Sequence, residues 1–246
     1  MNRHVYLIII FIVIVIISVT TSLANGFNYN LYKPQGYSAS NVSVPKEQIL
    51  FILDCSNSMN EALGAKTKIE MAVETLSRLL PRLSSGVSLG LRVYGHKNGF
   101  LPAQSCTASE LISPISTNNT SSVQNRLSSI QARGWTPITY SLKQAVSYDF
   151  AGYVGPKRII LLSDGGENCD ESPCDYAIEL MSHRDDIKID VIAFNIDDED
   201  ANNQLKCVAL TTSGKFHSAN TCAELSNSLM DSMNIEKDVQ GFVIKK

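Results

Sequence analysis

An aspartate followed at alternate positions by two serines, Asp54-Cys55-Ser56-Asn57-Ser58, places one carboxylate and two hydroxyls in a short polar stretch. Further along stand a hydroxyl, Thr136, before Pro137, and a second carboxylate, Asp164, between Ser163 and Gly165. All five side chains offer hard oxygen donors. Gathered at one point, they would suit a hard cation such as Mg²⁺, which takes oxygen ligands and keeps several of its waters. Mn²⁺ and Ca²⁺ are the alternatives. Such chemistry requires elements that bring three distant segments together.

Those elements are legible as hydrophobic patterns. Ile49 to Leu53 is an unbroken apolar run ending in Asp54, as a strand buried on both faces at the centre of a parallel sheet would be. Arg158-Ile159-Ile160-Leu161-Leu162 repeats the pattern and ends in Ser163-Asp164. Between them, Ile69, Ala72, Val73, Leu76, Leu79, Leu80 and Leu83 recur at helical spacing, predicting an amphipathic helix of about 17 residues whose last turn Pro81 limits. Val87 to Tyr94 alternates as a strand with one face less buried. Leu111 to Ile115, interrupted by Pro114, predicts an antiparallel edge strand.

Helices follow around Val123–Ile130 and Ile138–Val146. Another begins at Ser172-Pro173, an N-cap and first helical residue. Ile187–Phe194 predicts a strand, Leu205, Val208 and Ala209 a helix, and Gly214–Ser218 a short strand. Thr221 with Glu224 forms a capping-box pattern for the last helix. Strands alternating with helices predict a three-layer, doubly wound, mostly parallel α/β sheet of about six strands with one antiparallel edge strand. In such sheets ligands bind beyond the carboxyl ends of the strands, where Asp54 and Asp164 both fall.

Composition narrows the function class. The chain has 246 residues, 44% of them hydrophobic, and a formal charge of −3. That accommodates one domain of about 200 residues without the basic footprint expected of a nucleic-acid binder. Residues 1–24 read as a signal peptide, with an apolar run from Val5 to Val19 and small residues before a cleavage point after Ala24. An uncleaved membrane anchor is the competing reading. Residues 25–45 form an extended lead, 46–234 the domain and 235–246 a tail. Either reading exports the domain, to the periplasm, the medium or the outer face of a membrane. Its six cysteines are then candidates for disulfides, a local Cys169–Cys174 clasp among them, with Cys55 as an inert core thiol.

Three segments together, Asp54-Cys55-Ser56-Asn57-Ser58-Met59, Trp135-Thr136-Pro137 and Ser163-Asp164-Gly165, resemble the metal-ion-dependent adhesion site of von Willebrand factor type A domains. The likeness covers residues 46 to about 234. Leu91-Arg92-Val93-Tyr94-Gly95-His96, Arg133-Gly134-Trp135-Thr136-Pro137 and Ser163-Asp164-Gly165-Gly166-Glu167-Asn168-Cys169 look like the exported bacterial branch of that family. The resemblance implies that Ser56 and Ser58 bind the metal through their hydroxyls, Thr136 and Asp164 directly or through water, and Asp54 mainly through a bridging water. It also implies a non-enzymatic module that captures an acidic residue of a protein partner through the cation. A membrane would be engaged only through the N-terminal segment.

Each element has a plainer reading. Asp or Ser after a strand is a common turn former or N-cap, Thr136-Pro137 is a ready-made helix start, and Asp164-Gly165 is a frequent turn pair. The acidic run Asp197–Asp200 reads as a solvated helix start. The competing function is a Mg²⁺-dependent phosphohydrolase of the haloacid dehalogenase type, in which a second aspartate would stand where this chain has Ser56. A serine hydroxyl cannot shuttle protons at neutral pH as that carboxylate does.

Overall fold

Strand β1 (Gln48–Asp54) is buried along its whole length, as a run apolar on both faces requires. The computed structural model describes residues 47–84 and 86–236. The expected signal or anchor, the lead and residues 237–246 of the tail lie outside them.

After β1 come a small hairpin, β2 (Ala62–Leu63) and β3 (Lys66–Thr67), and helix α1 (Lys68–Leu79). Next are β4 (Ser88–Tyr94), a short helix α2 (Pro102–Ser105), β5 (Ser109–Thr117), α3 (Thr120–Leu127) and α4 (Ile138–Gln144). The chain continues through β6 (Lys157–Ser163), α5 (Pro173–Met181), β7 (Ile187–Phe194), α6 (Glu199–Thr211), β8 (Phe216–Ala219) and α7 (Cys222–Ser232). The six-stranded sheet runs β5-β4-β1-β6-β7-β8, with β4–β5 its one antiparallel pair. One face packs on α1, α3 and α7 through Leu76, Val123 and Leu229; the other packs on α4, α5 and α6 through Leu142, Ala177 and Val208. This is the expected three-layer architecture. Its strand order reverses around β1, so the carboxyl ends of β1 and β6 lie side by side at the switch point, where sheets of this kind form a ligand crevice.

Several local expectations are corrected. α1 stops at Leu79 after 12 residues, and Leu80–Arg82 tightens into a 3₁₀ turn because Pro81 has no N–H to continue the ladder. Its start is a capping box, with Thr67 accepting from the Glu70 N–H and Glu70 from the Thr67 N–H. The strand β4 has no exposed face. Arg92 is 4% exposed and gives a forked pair to Asp149, with Nε and Nη2 at 2.6 and 2.7 Å from the two carboxylate oxygens. Asp149 closes a π-helical turn, Ala145–Asp149, that continues α4. The alternation in β4 thus marks charged and aromatic residues buried with partners.

Thr221 accepts the Glu224 N–H, but the Glu224 carboxylate reaches the Asn220 N–H, so the capping box is one residue wider than its pattern. Ser172 and Asp198 cap α5 and α6 as expected, which leaves the acidic run in its helix-start role. Cys169 pairs with Cys106 and Cys174 with Cys207; the Cys169–Cys174 clasp does not form. Disulfides of this kind persist in oxidising compartments. Cys55 is a free thiol, fully buried, its ionisation pushed up by burial and then by the neighbouring Asp54 charge.

Candidate metal centre

The chain leaves β1 at Asp54, and the carboxylate turns back to organise its own loop. Its Oδ1 accepts the Ser56 N–H at 2.7 Å and its Oδ2 the Ser163 hydroxyl at 2.6 Å. Tyr94, at the end of β4, donates its hydroxyl to Ser163 Oγ at 2.9 Å, so β4, β1 and β6 are tied at their carboxyl ends by one buried polar chain. Ser56 and Ser58 place their Oγ atoms 2.9 Å apart, and Ser58 donates to Asp164 Oδ1 at 2.8 Å. Four of the five expected residues therefore belong to one continuous hydrogen-bonded cluster.

Thr136 comes to the same place by its backbone. Gly134 pairs with Ser56 in an isolated parallel bridge, and its carbonyl accepts the Asn57 N–H at 2.9 Å. The Thr136 N–H donates to Asn168 Oδ1 at 2.7 Å, four residues beyond Asp164. The residue is 5% exposed, and among the described residues no hydrogen bond engages its hydroxyl. Its plainer role as N-cap is not taken up, since α4 begins at Ile138 with Pro137 in the cap position and no side-chain cap bond. Two glycines permit this stacking of loops. Gly95 has φ +68°, and a Cβ there would stand 2.5 Å from the Trp135 carbonyl oxygen; at Gly134 it would stand 2.4 Å from that of Lys97.

Supporting residues outside the expected set are Tyr94, Ser163, Glu167, Asn168 and Lys68. Glu167 accepts the N–H groups of Thr139 and Cys169 at 2.7 and 3.0 Å, and Cys169 is bound to Cys106. With the Asn168 bond to Thr136, the loop after β6 is fixed to the rest of the chain at three points. Lys68 lies 3.0 Å from Asp164 Oδ2 and 2.7 Å from Glu61 Oε2. Burial opposes its charge, but the two carboxylates outweigh that cost and hold the ammonium protonated. The buried ends of Tyr94, Ser163 and Lys68 carry no local sequence signal, because their roles depend on strand order.

The electrostatics ask for a cation. Burial, and then the Asp164 charge, push the Asp54 carboxyl up to about 6, against hydrogen bonds from Ser163 and Ser56 that favour its anion. Burial likewise raises Asp164 despite Lys68 and Ser58. Two buried carboxylates, both raised by burial and joined by neutral hydroxyls, fit a hard divalent ion. Among the described residues no group of three or more His, Cys, Asp or Glu side chains gathers as a metal site, which leaves a thiolate or imidazole zinc site without ligands.

A pH prediction follows. Unfolded Asp54 releases its proton near 3.8 and folded Asp54 near 6, so the folded state binds the extra proton between those values. The Asp54 contribution to stability must then fall as pH rises through that window. Urea titrations in chelator of the native chain and of Asp54→Asn should show that fall in the difference between the two. A difference that is flat from pH 4 to 6.5 would refute the assignment.

The fold and the oxygen-rich loops at its carboxyl edge define a doubly wound α/β domain with its candidate site at the topological switch point. The chain belongs to the von Willebrand factor type A domain family, which matches residues 48–231. It is 30% identical over 202 residues to the uncharacterized protein YwmD of Bacillus subtilis (strain 168), covering 79% of this chain and 85% of that one. Among solved structures, a von Willebrand factor type A protein from Catenulispora acidiphila aligns with a TM-score of 0.61 at 20% identity, over 76% of this chain and 42% of that one. Proximal thread matrix protein 1 from the mussel byssus, solved with zinc in its MIDAS motif, aligns with a TM-score of 0.59 at 16% identity, over 77% of this chain and 45% of that one. This chain thus spans less than half the length of those two structures, and the likeness to them is one of fold.

Proposed function

We propose that Asp54, Ser56, Ser58, Thr136 and Asp164 hold one divalent cation, Mg²⁺ by preference and Mn²⁺ or Ca²⁺ in its place, at which an exported domain captures an acidic residue of a protein partner. The observation that carries this reading is the pair of buried carboxylates, Asp54 and Asp164, linked through Ser56, Ser58 and Ser163 at the ends of adjacent strands. Zinc in the corresponding motif of the byssus protein supports a divalent ion here. When bound, the cation supplies a Lewis-acidic position for an incoming carboxylate. The protein groups orient the hydroxyls, through Asp54 and Gly134, and keep the loop after β6 in place, through Glu167 and Asn168.

Binding rather than turnover is the role these residues favour. The position two after Asp54 is Ser56, whose hydroxyl meets Ser58, so no carboxylate stands there to act as the acid and base of a phosphohydrolase. The two disulfides favour an exported chain, with residues 1–24 as signal or anchor, 25–45 as lead, 46–234 as the binding domain and 235–246 as tail. If residues 1–24 are retained, the same domain serves as a membrane-anchored subunit of a complex.

The test is capture of partners from the exported proteome on the full chain, with Mg²⁺ and with chelator. A partner retained only with Mg²⁺, and lost with Ser58→Ala, is expected. Capture indifferent to both chelator and Ser58→Ala would contradict the reading.

A further inference from the structure

Lys68 is the first residue of α1, is 4% exposed, and lies with its ammonium against the carboxylate of Asp164. Lysine is almost never so buried without a partner, and here it has two. The helix start does not need this side chain, since Thr67 and Glu70 cap it and the Lys68 N–H bonds the Glu61 carbonyl at 3.0 Å. Both oxygens of Asp164 therefore have a partner, Oδ1 the Ser58 hydroxyl and Oδ2 the Lys68 ammonium.

We propose that Lys68 is a resident cation that competes with the divalent ion for Asp164, holding the site at weak affinity so that it responds to changes in cation concentration. The inference rests on the reading of the site given above. Without Lys68, two buried carboxylates would face an incoming cation with no charge to offset them. With it, one carboxylate is already neutralised, and a positive charge stands where it repels a second. Glu61 makes the exchange workable. Its side chain is 65% exposed and accepts from Lys68 at 2.7 Å, so the ammonium keeps a counter-ion when Asp164 turns to the metal. Lys68 is thus a residue that sets affinity, and the exposed Glu61 sets how readily Lys68 gives way.

Titration calorimetry with MgCl₂ on the full chain decides this, with folding of each variant checked by thermal melts in chelator. Lys68→Met should tighten Mg²⁺ binding by about tenfold or more, because a repelling charge is removed. Glu61→Gln should weaken it several-fold, since Lys68 is then left to Asp164 alone. Lys68→Arg, which keeps the charge, should stay near the native value. A merely structural lysine predicts no tightening, with Lys68→Met binding as the native chain does or more weakly, and that result overturns the proposal while leaving the metal site intact. Should Lys68→Met not fold, an unchanged or tighter Glu61→Gln at its exposed position overturns it alone. Absence of Mg²⁺ binding by the native chain and every variant would overturn the site itself, and this inference with it.

Discussion

Asp54→Asn is expected to cut Mg²⁺ affinity by about 100-fold, the upper end for residues that support metal ligands, while making the cation-free protein more stable at neutral pH. The two effects have one cause. Asn keeps an acceptor for the Ser56 N–H, and its amide can donate to Ser163 Oγ, whose own proton then goes to the Gly165 carbonyl at 2.9 Å. The loop survives, and only the buried charge is gone. The carboxyl that burial and Asp164 push up to about 6 no longer has to ionise in place. Stability in chelator at pH 7 should rise on the order of 2 kcal/mol, or about 4–8 °C in melting temperature for a domain of this size. Calorimetry and melting of the same preparations check both halves. Unchanged Mg²⁺ binding with unchanged stability would show that Asp54 is no more than a turn former.

The second large effect lies away from the site. Arg92→Met should destabilise the domain by about 3–5 kcal/mol, because it leaves Asp149 charged and unpaired in the core. Both side chains of the pair are nearly inaccessible, 5% and 3% exposed, and Arg92 Nη1 also donates to Ser109 Oγ at 2.9 Å, joining β4 and β5. The paired replacement Arg92→Met with Asp149→Leu should recover most of the loss, since well-packed apolar groups substitute for a buried ion pair at little cost. Urea denaturation of the two single variants and the double one would measure the coupling. A double variant as unstable as the sum of the singles would show that the two side chains act independently.

How much of this was legible follows from what a linear pattern can encode. β1, β6 and β7 were readable because strands buried on both faces are unbroken apolar runs, and α5 because Ser172-Pro173 is a local capping signal. The edge strand was readable through Pro114. In β4 the pattern misled, since Arg92 and Tyr94 look like a solvated face and are instead buried against Asp149 and Ser163, partners 57 and 69 residues away. The disulfides were unreadable for the same reason; proximity in sequence suggested Cys169–Cys174, whereas the fold brings Cys106 to Cys169 across 63 residues. At the candidate site, residue types and chain order pointed to five oxygen donors, of which Asp54, Ser56, Ser58 and Asp164 share one hydrogen-bonded cluster and Thr136 is drawn toward it by its backbone. The contacts that order them, the bridge between Ser56 and Gly134 and the Asn168 contact to Thr136, are made by loops from separate segments and have no periodicity to announce them.

The proposed cation site is tested most directly by diffraction from crystals of the full chain soaked in Mn²⁺, with data collected at the manganese absorption edge. One anomalous peak is expected in the crevice above β1 and β6, about 2.1 Å from the Ser56 and Ser58 hydroxyl oxygens. A crevice without such a peak at saturating Mn²⁺, or a peak only at unrelated surface carboxylates, would contradict the account.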